Sequence, residues 1–289
     1  MNPFEKYIIN TYSDKGKAWL ENLPKTISKI SAEWNLSDLK PLENLSYSYV
    51  LSGMQDGKPI ILKLSPDVEE LKQESNALKA LKYFGVVKIL AEQNGAILLE
   101  RAIPGTSLKS YFLSKETEAI EIACNLIKKL HQAPSTENKF PHIQEWLTAL
   151  DKEWDIPLEY LRKARELRNQ LLKTSTQSLL LHGDLHHDNI LKNGNDWIVI
   201  DPKGVIGELA YELTTFIYNP IPELISLDDA ESIIKDRINY FSKLFHIDSQ
   251  RIKEWCFIKI VLAWIWALEN GVDANHFTRL IRIFNSLLQ

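Results

Sequence analysis

Three polar residues whose types and spacing suit phosphoryl transfer occur in order within residues 179–203. Asp184 follows an apolar run, Asn189 comes five residues later, and Asp201 ends the next apolar run. The pattern predicts a short strand, a polar loop and then a hairpin over residues 189–200 that delivers Asp201. One carboxylate can orient a hydroxyl, and an amide with a second carboxylate can bind a divalent metal ion. The stretch therefore predicts a centre for phosphoryl transfer from a magnesium nucleotide.

Two other interpretations of this stretch are open. Each acidic residue taken alone is typical of a solvated turn, so the stretch could be an ordinary hairpin. The three imidazoles of His182, His186 and His187 could also contribute ligands to zinc. However, no cysteine pair or glutamate motif completes a zinc site, and the ordered Asp, Asn and Asp would be left unexplained. Phosphoryl transfer is therefore the favoured interpretation.

The letters HGDLHHDNIL, followed by IDPKG, resemble the catalytic segment of aminoglycoside phosphotransferases, in particular the branch of streptomycin 6-kinases and hydroxyurea kinases. The resemblance covers nearly the whole chain and is strongest over residues 179–212. It implies an α+β, two-lobed, protein-kinase-like fold with a small N-terminal antiparallel-sheet lobe and a larger, mostly helical C-terminal lobe. The implied domains are residues 1–102, which bind the nucleotide and include leading helices, and residues 103–289, which carry the catalytic loop and the acceptor site.

The same resemblance implies a role for each polar residue near this centre. Asp184 would be the catalytic base, whereas Asn189 and Asp201 would bind Mg²⁺ through their oxygens. The residues implied to hold ATP are a strand lysine, its helix glutamate, two hinge residues and a lysine after the metal-binding aspartate: Lys63, Glu74, Glu100, Ala102 and Lys203.

Two of these assignments have alternatives. Glu70 lies one helical turn before Glu74 and is the second candidate to pair with Lys63. A salt bridge explains Lys203 as well as a nucleotide contact does, and the candidate acids for it are Glu208 and Glu212.

The acceptor implied by the resemblance is a streptomycin-like aminoglycoside, whose positive charges need carboxylates and aromatic rings around them. The protein would then confer antibiotic resistance. Candidate acceptor residues are Asp151, Trp154, Asp155, Glu208, Trp266 and Glu269. Core packing or solvation is the alternative explanation for each. Other open functions are a kinase for an amino alcohol, a sugar or hydroxyurea, and a nucleotide-binding pseudokinase that acts as an interaction module.

The elements that position the nucleotide residues are visible in the hydrophobic pattern. Asp-Gly and Asn-Gly pairs predict hairpins over residues 47–64 and 86–100. Between them, a helix is predicted over residues 65–81 with Ser65 as its cap. Lys63 is expected to point to the strand face opposite its apolar neighbours.

Other helices are predicted on both sides of these segments. The first covers residues 13–35, is capped by Ser13 or Asp14, and kinks or divides at Pro24. The later helices are predicted over residues 116–132, 143–151, 157–172, 228–245, 249–270 and 274–288. The helix over residues 249–270 is nearly apolar all round, which indicates the centre of the C-terminal lobe.

One expected element of a kinase is missing. Residues 44–53 contain no glycine-rich series whose backbone amides could approach phosphate oxygens. Ser46, Tyr47 and Ser48 would instead occupy the tip of this loop. The departure keeps a weak or inactive kinase among the open functions.

Composition is that of an ordinary globular protein. The 289 residues are 45% hydrophobic and 25% charged, and the formal net charge of −4 argues against nucleic-acid or anionic-membrane partners but is compatible with a cationic substrate. The two cysteines, Cys124 and Cys256, lie in apolar helical segments, which indicates a reducing compartment. No signal-peptide pattern is present, and the apolar run over residues 255–268 is interrupted by Lys259 and is too short to span a bilayer. A cytoplasmic location is expected, and monomer and dimer both fit the sequence.

Overall fold

An antiparallel sheet is the framework of the N-terminal part of the chain. The structure is a computed structural model that describes residues 3–43, 45, 47–134 and 139–289. The N-terminal elements are α1 (Pro3–Glu33), β1 (Leu36–Pro41), β2 (Tyr49–Gln55), β3 (Lys58–Leu64), α2 (Val68–Ala80), β4 (Ile89–Gln93) and β5 (Ala96–Glu100). Within the described residues, the sheet has five strands in the order β1-β2-β3-β5-β4. Neighbouring strands are antiparallel, and both predicted hairpins are confirmed.

The C-terminal part is mostly helical, with short strands around the predicted catalytic segment. Its elements are β6 (Pro104–Ser107), α3 (Glu116–Leu130), α4 (Ile143–Trp146), α5 (Leu158–Thr174), β7 (Leu179–Leu181), β8 (Ile190–Asn193), β9 (Asp196–Val199), β10 (Val205–Gly207), α6 (Leu209–Tyr218), α7 (Glu223–Ser226), α8 (Ala230–Phe245), α9 (Ser249–Glu269) and α10 (Asn275–Leu287). The predicted hairpin is β8 and β9, which pair in the order β6-β8-β9, while β7 pairs with β10. The predicted boundary at residue 102 falls in the connection between β5 and β6.

Apolar side chains pack in two clusters. The smaller cluster lies between α1 and the sheet and contains Leu23, Ile30, Leu51, Ile60, Leu62, Leu64, Ala96 and Leu98. The larger cluster includes nearly the whole middle of α9 and also the buried side of α2. α2 therefore packs with the C-terminal part as well as with the sheet. Among the described residues, no helix combines the length and the apolar character needed to cross a bilayer.

The first helix differs from its prediction in its start and in its break. α1 begins at Pro3, and its backbone leaves the helical region at Ser13 (φ 52°, ψ −128°) instead of at Pro24. The segment around Pro24 stays helical, and the neighbouring Leu23 packs in the cluster against the sheet. At the break, the chain returns so closely that a Cβ on Gly16 would lie 2.4 Å from the carbonyl oxygen of Ile8. Glycine at this position therefore allows the two halves of α1 to pack together.

The cap of α2 also differs from its prediction. The carboxylate of Asp67, not the hydroxyl of Ser65, accepts the hydrogen bond from the amide of Glu70, at 2.9 Å. The Ser65 hydroxyl instead accepts a bond from the Asp67 amide at 3.1 Å. The helix consequently begins at Val68, because its first exposed amides are satisfied there.

Lys63 shares a face of β3 with Ile61, so the prediction that it faces away from its apolar neighbours is right for Leu62 and wrong for Ile61. Side chains alternate along a strand with a period of two residues. Ile60, Leu62 and Leu64 therefore point into the cluster beneath α1, whereas Ile61 and Lys63 line a cleft on the other face.

Candidate active site

A cleft between the five-stranded sheet and the hairpin of β8 and β9 brings the predicted nucleotide and metal residues together, whereas Asp184 lies outside its lining. Its volume is about 270 Å³. The predicted residues in its lining are Lys63, Glu74, Glu100, Ala102, Asn189, Asp201 and Lys203. Its apolar walls include Val50, Ile61, Val87, Leu99, Leu191 and Ile200. Charged groups and an apolar surface thus occur in one cavity.

Lys63 is shared by two carboxylates in this cleft. Its Nζ lies 2.5 Å from Oδ1 of Asp201 and 2.7 Å from Oε2 of Glu74. Burial alone would lower the pKa of Lys63, but the two carboxylates outweigh burial and raise it. Burial raises the pKa of Glu74 to about 7 despite Lys63. For Asp201, the attraction of Lys63 and Lys203 outweighs burial and lowers the pKa, so Asp201 is the acid that stays charged.

Lys203 joins the same charge cluster from the loop after β9. Its Nζ lies 3.3 Å from Oε1 of Glu70 and 3.8 Å from Oδ2 of Asp201. Burial would lower the pKa of Lys203, but these acids outweigh burial and raise it. Glu70 therefore serves Lys203 rather than Lys63, and Lys203 pairs with Glu70 instead of the predicted Glu208 or Glu212.

Hydrogen bonds to the backbone fix the predicted catalytic loop. The amide of Asp184 donates to Nδ1 of His182 at 3.1 Å, and Nε2 of His182 faces the carbonyl oxygen of Ile200 at 2.8 Å. Because one ring nitrogen accepts and the other donates, His182 is neutral, and burial accordingly lowers its pKa to about 4. The side-chain amide of Asn189 donates to the carbonyl oxygen of Asp184 at 2.9 Å. The loop is thereby joined to the residues at both ends of the hairpin that follows it.

The sequence of the chain matches a known protein family. The family described as aminoglycoside/hydroxyurea antibiotic resistance kinase matches residues 33–271. The chain belongs to this family. The predicted family and the predicted assignment as a phosphotransferase are therefore confirmed.

Three relatives of this chain are named as kinases or phosphotransferases of streptomycin or hydroxyurea. Streptomycin 3''-kinase from Klebsiella pneumoniae is 30% identical over 195 residues, which cover 65% of this chain and 71% of that protein. Streptomycin 6-kinase from Streptomyces glaucescens is 21% identical over 94% of this chain and 92% of that protein. Hydroxyurea phosphotransferase from Kitasatospora aureofaciens is 26% identical over 89% of this chain and 76% of that protein.

Solved structures with the same fold confirm the predicted fold class. Aminoglycoside phosphotransferase APH(4)-Ia superimposes with a TM-score of 0.71 at 14% identity, over 91% of this chain and 99% of that chain. Choline kinase LicA from Streptococcus pneumoniae superimposes with a TM-score of 0.67 at 16% identity, over 92% of this chain and 99% of that chain. The kinase therefore has the two-lobed kinase-like fold.

The residues predicted in the acidic linker lie outside the cleft lining described above. Nη1 of Arg168 lies 2.7 Å from Oδ1 of Asp151, and Nε1 of Trp154 donates to the carbonyl oxygen of Ala149 at 2.8 Å. Asp155 is exposed. Asp151 and Trp154 thus have partners within the kinase itself, and Asp155 remains open to solvent.

Glu208 and Trp266 contact other parts of the kinase. Glu208 is only 5% exposed, and its two oxygens receive Nε and Nη2 of Arg251 at 2.9 Å each, as well as a hydrogen bond from Trp255. This corrects its predicted role, because the carboxylate holds α6 to α9 instead of facing a ligand. The ring of Trp266 lies 5.2 Å from Nζ of Lys259. Glu269, at the end of α9, is exposed.

Tyr47 lines the cleft and was not predicted as a functional residue. It is 48% exposed, and its ring lies edge-on to that of Tyr7 in α1, with centroids 5.1 Å apart. Burial raises the pKa of its phenol. The positive charge of Lys203 lowers this pKa, and the negative charge of Asp184 raises it. Its position in the stretch where a glycine-rich series was expected is the sequence signal that could have identified it. Asn44 and Ser46, from the same predicted loop, lie outside the described residues.

The histidines considered for zinc have other partners. The ring of His187 stacks on Phe216 with centroids 4.1 Å apart, and Nδ1 of His186 accepts a bond from the amide of Asp188 at 3.3 Å. In the part of the chain that the structure describes, no three His, Cys, Asp or Glu side chains form a group suited to a metal ion.

Proposed function

We propose that this kinase transfers the γ-phosphoryl group of ATP to a hydroxyl of a streptomycin-like aminoglycoside. The observation that carries the proposal is the cleft in which Lys63, Asn189, Asp201 and Lys203 line one cavity beside apolar walls. Two of the relatives described above are named streptomycin kinases. Family membership, cleft and relatives thus support the same reaction.

ATP suits the composition of the cleft. Its apolar walls can receive a flat purine ring, and the backbone groups of Glu100 and Ala102, at the connection after β5, can recognise the adenine edge. Lys63 and Lys203 supply positive charge for the phosphates, in the way that kinases use a strand lysine held by a helix glutamate. A thermostable mutant of APH(4)-Ia has been solved in a ternary complex with ADP and hygromycin B.

Asn189 and Asp201 suit a magnesium ion. The Nδ2 group of Asn189 already donates to the carbonyl oxygen of Asp184, so its amide oxygen is the atom that it can offer to a metal. One amide oxygen and one carboxylate match the few protein ligands that Mg²⁺ takes when phosphates and water complete its shell. When bound, the ion would neutralise charge on the phosphates.

Asp184 is the proposed base. Its side chain is 36% exposed, so an acceptor hydroxyl can reach it. The carboxylate would orient this hydroxyl and accept its proton, while His182 and Asn189 hold the amide and the carbonyl of Asp184. For the cationic groups of the acceptor, the exposed carboxylates Asp155 and Glu269 are the proposed partners. Since the reaction consumes ATP, we place the kinase in the cytoplasm, which also suits the free cysteines.

Hydroxyurea is the second candidate acceptor, because the family description includes it and one relative is named hydroxyurea phosphotransferase. Mass spectrometry of streptomycin, other aminoglycosides and hydroxyurea, each incubated with kinase, Mg²⁺ and ATP, separates the candidates. A phosphate added to streptomycin supports the first proposal. Addition to hydroxyurea alone supports the second, and no addition to any compound contradicts both. The Asp184→Asn variant is the control for contaminating kinases.

A further inference from the structure

Lys259 is a buried lysine for which the proposed reaction has no use. It lies in the middle of α9 and is only 2% exposed. Its Nζ donates one hydrogen bond to the carbonyl oxygen of Gly183 and one to the hydroxyl of Tyr211, each at 3.0 Å. A buried ammonium is costly unless it is paired and hydrogen-bonded. One of these hydrogen bonds reaches the residue that directly precedes Asp184, so Lys259 is linked to the proposed base through the backbone.

Aromatic rings enclose the ammonium of Lys259. Its Nζ lies 4.6 Å from the ring centroid of Tyr211, 5.1 Å from that of Trp146 and 5.2 Å from that of Trp266. Cation–π attraction of this kind is strongest where water is absent. The ring of Trp266, which was predicted to receive a substrate cation, therefore already faces a cation of the kinase itself.

Glu212 holds the other polar backbone group of Gly183. Its Oε2 accepts a hydrogen bond from the Gly183 amide at 3.2 Å, and the residue is 2% exposed. Its Oε1 has no hydrogen-bond partner among the described residues, and burial raises the pKa of Glu212 to about 7. The amide of Gly183 is thus held by the carboxyl group of Glu212 in α6, and its carbonyl by the ammonium of Lys259 in α9. The two helices pack against each other.

The backbone at Gly183 tolerates little variation. Its φ of 83° lies in the region that favours glycine. A Cβ at this position would lie 3.0 Å from the side chains of both Trp146 and Val205. The segment that leads into Asp184 therefore has a backbone shape that depends on its surroundings for support.

We propose that Lys259 is a positioning residue of this kinase: together with Glu212 it fixes the backbone of Gly183 and so aims the carboxylate of Asp184 at the acceptor hydroxyl. The inference rests on the proposed role of Asp184. Lys259 acts through the loop and contacts no substrate. Small errors in the placement of a catalytic group are costly, which is the physical reason for such a buried support.

The test compares variants of two lysines that each lie against an aromatic ring. Lys259→Met removes the charge and both hydrogen bonds but keeps most of the volume. Lys163→Met is the matched control, because Lys163 of α5 lies 5.2 Å from the ring of Phe257 in α9 and donates to Asn285, away from Gly183. We expect kcat for streptomycin phosphorylation to fall about 10²-fold in Lys259→Met, with KM for ATP unchanged, and to stay at the wild-type value in Lys163→Met. Equal kcat values in the two variants would overturn the proposal.

The pH profile separates positioning from mere stabilisation. Burial lowers the pKa of Lys259 to about 8, although Asp184 and Glu212 act in the opposite direction. The groups that face it are Asp184 from the loop, Tyr211 and Glu212 from α6, and Lys203 from the loop after β9. The kcat of the wild-type kinase should therefore decline as the pH rises through about 8, because Lys259 loses its charge. This decline should be absent in Lys259→Met and present in Lys163→Met, and its persistence in Lys259→Met contradicts the role.

Hydrogen exchange gives a readout that needs no activity. In Lys259→Met the amides of residues 183–185 should exchange faster than in the wild type and in Lys163→Met. If no acceptor is phosphorylated by the wild type, the proposed function fails but this readout still tests the support of the loop. If turnover occurs but neither kcat nor exchange changes in Lys259→Met, the positioning role fails alone. Should Lys259→Met not fold, Lys259→Gln, which keeps an N–H donor, should retain part of kcat without the alkaline decline, and a full kcat in that variant overturns the proposal.

Discussion

The two sides of the proposed active site are held together by different interactions. On the nucleotide side, charged side chains from distant parts of the sequence meet: Lys63 of β3 contacts Glu74 of α2 and Asp201 after β9. On the acceptor side, Asp184 is fixed through backbone groups, which bond to the side chains of His182 and Asn189. One side depends on charge pairs that a ligand can share, whereas the other depends on a preformed loop.

This difference predicts how each side responds to mutation. Phosphates and a metal ion can interact with Lys63 and Asp201, so changes in those charges should alter nucleotide affinity. The loop around Asp184 is preorganised, so changes there should alter kcat while the binding of ATP persists. Measurements of KM for ATP and of kcat therefore test the two sides separately.

The largest effect is expected for Asp184→Asn, which keeps the shape of the side chain but removes the base. We expect kcat to fall about 10³-fold, because an amide cannot accept the hydroxyl proton. The dissociation constant of ATP, measured by calorimetry, should stay near the wild-type value. A comparable loss of ATP affinity would show that Asp184 belongs to the nucleotide side, and the comparison between the sides would fail.

A pH-dependent effect is expected for Glu212→Gln on the acceptor side. The pKa of Glu212 rises from the ordinary 4.5 to about 7 on folding, so the folded kinase binds more protons than the unfolded chain between these values. The free energy of unfolding should therefore decrease as the pH rises from about 4.5 to about 7, by about 3 kcal/mol from this residue. In Glu212→Gln this contribution should be missing. Urea denaturation at several pH values measures it, and parallel pH curves for wild type and variant would contradict the assignment. Glu74, whose pKa is also raised to about 7, is present in both proteins and cancels in the difference.

Lys63→Met should weaken the nucleotide side. The variant leaves Asp201 and Glu74 without their common cation. It also removes a positive charge that would interact with the phosphates. We expect KM for ATP to rise about 30-fold, which corresponds to about 2 kcal/mol. Lys79→Met is the control, because Lys79 pairs with Glu92 at the exposed surface of α2, where ion pairs contribute little. Equal KM values for the two variants would remove Lys63 from the proposed nucleotide site.

Local patterns predicted the strands and the turn of residues 179–203 well, because their order depends on neighbouring residues. Apolar runs on both sides of Asp184 and Asp201, and the turn between them, determine the hairpin. The choice between Glu70 and Glu74 could not be read in this way. Both lie on one side of α2, and only the packing of α2 against the sheet and the loop after β9 decides which lysine each contacts.

Buried polar residues were the least predictable part of the site. Lys259 interrupts an apolar helix, and its partner Gly183 is 76 residues away in sequence. Glu208 follows the proposed metal ligand Asp201 closely in sequence, but its carboxylate turns to Arg251. α6 was missed for a related reason: nearly all of its residues are buried, so no polar face produces a helical period.

The smallest effect is expected where the nucleotide side lacks a glycine-rich series. Tyr47 lines the cleft and contacts Tyr7, and such an aromatic pair contributes about 1 kcal/mol. Tyr47→Ala should therefore raise KM for ATP about fivefold and leave kcat unchanged, because the loop around Asp184 is held independently. Tyr7→Ala should raise KM by a similar factor if Tyr7 supports the ring of Tyr47. The double variant should then be no worse than Tyr47→Ala alone, since both changes remove one contact. Additive effects on KM would show that α1 and Tyr47 act separately, and a fall in kcat would show that Tyr47 also serves the acceptor side.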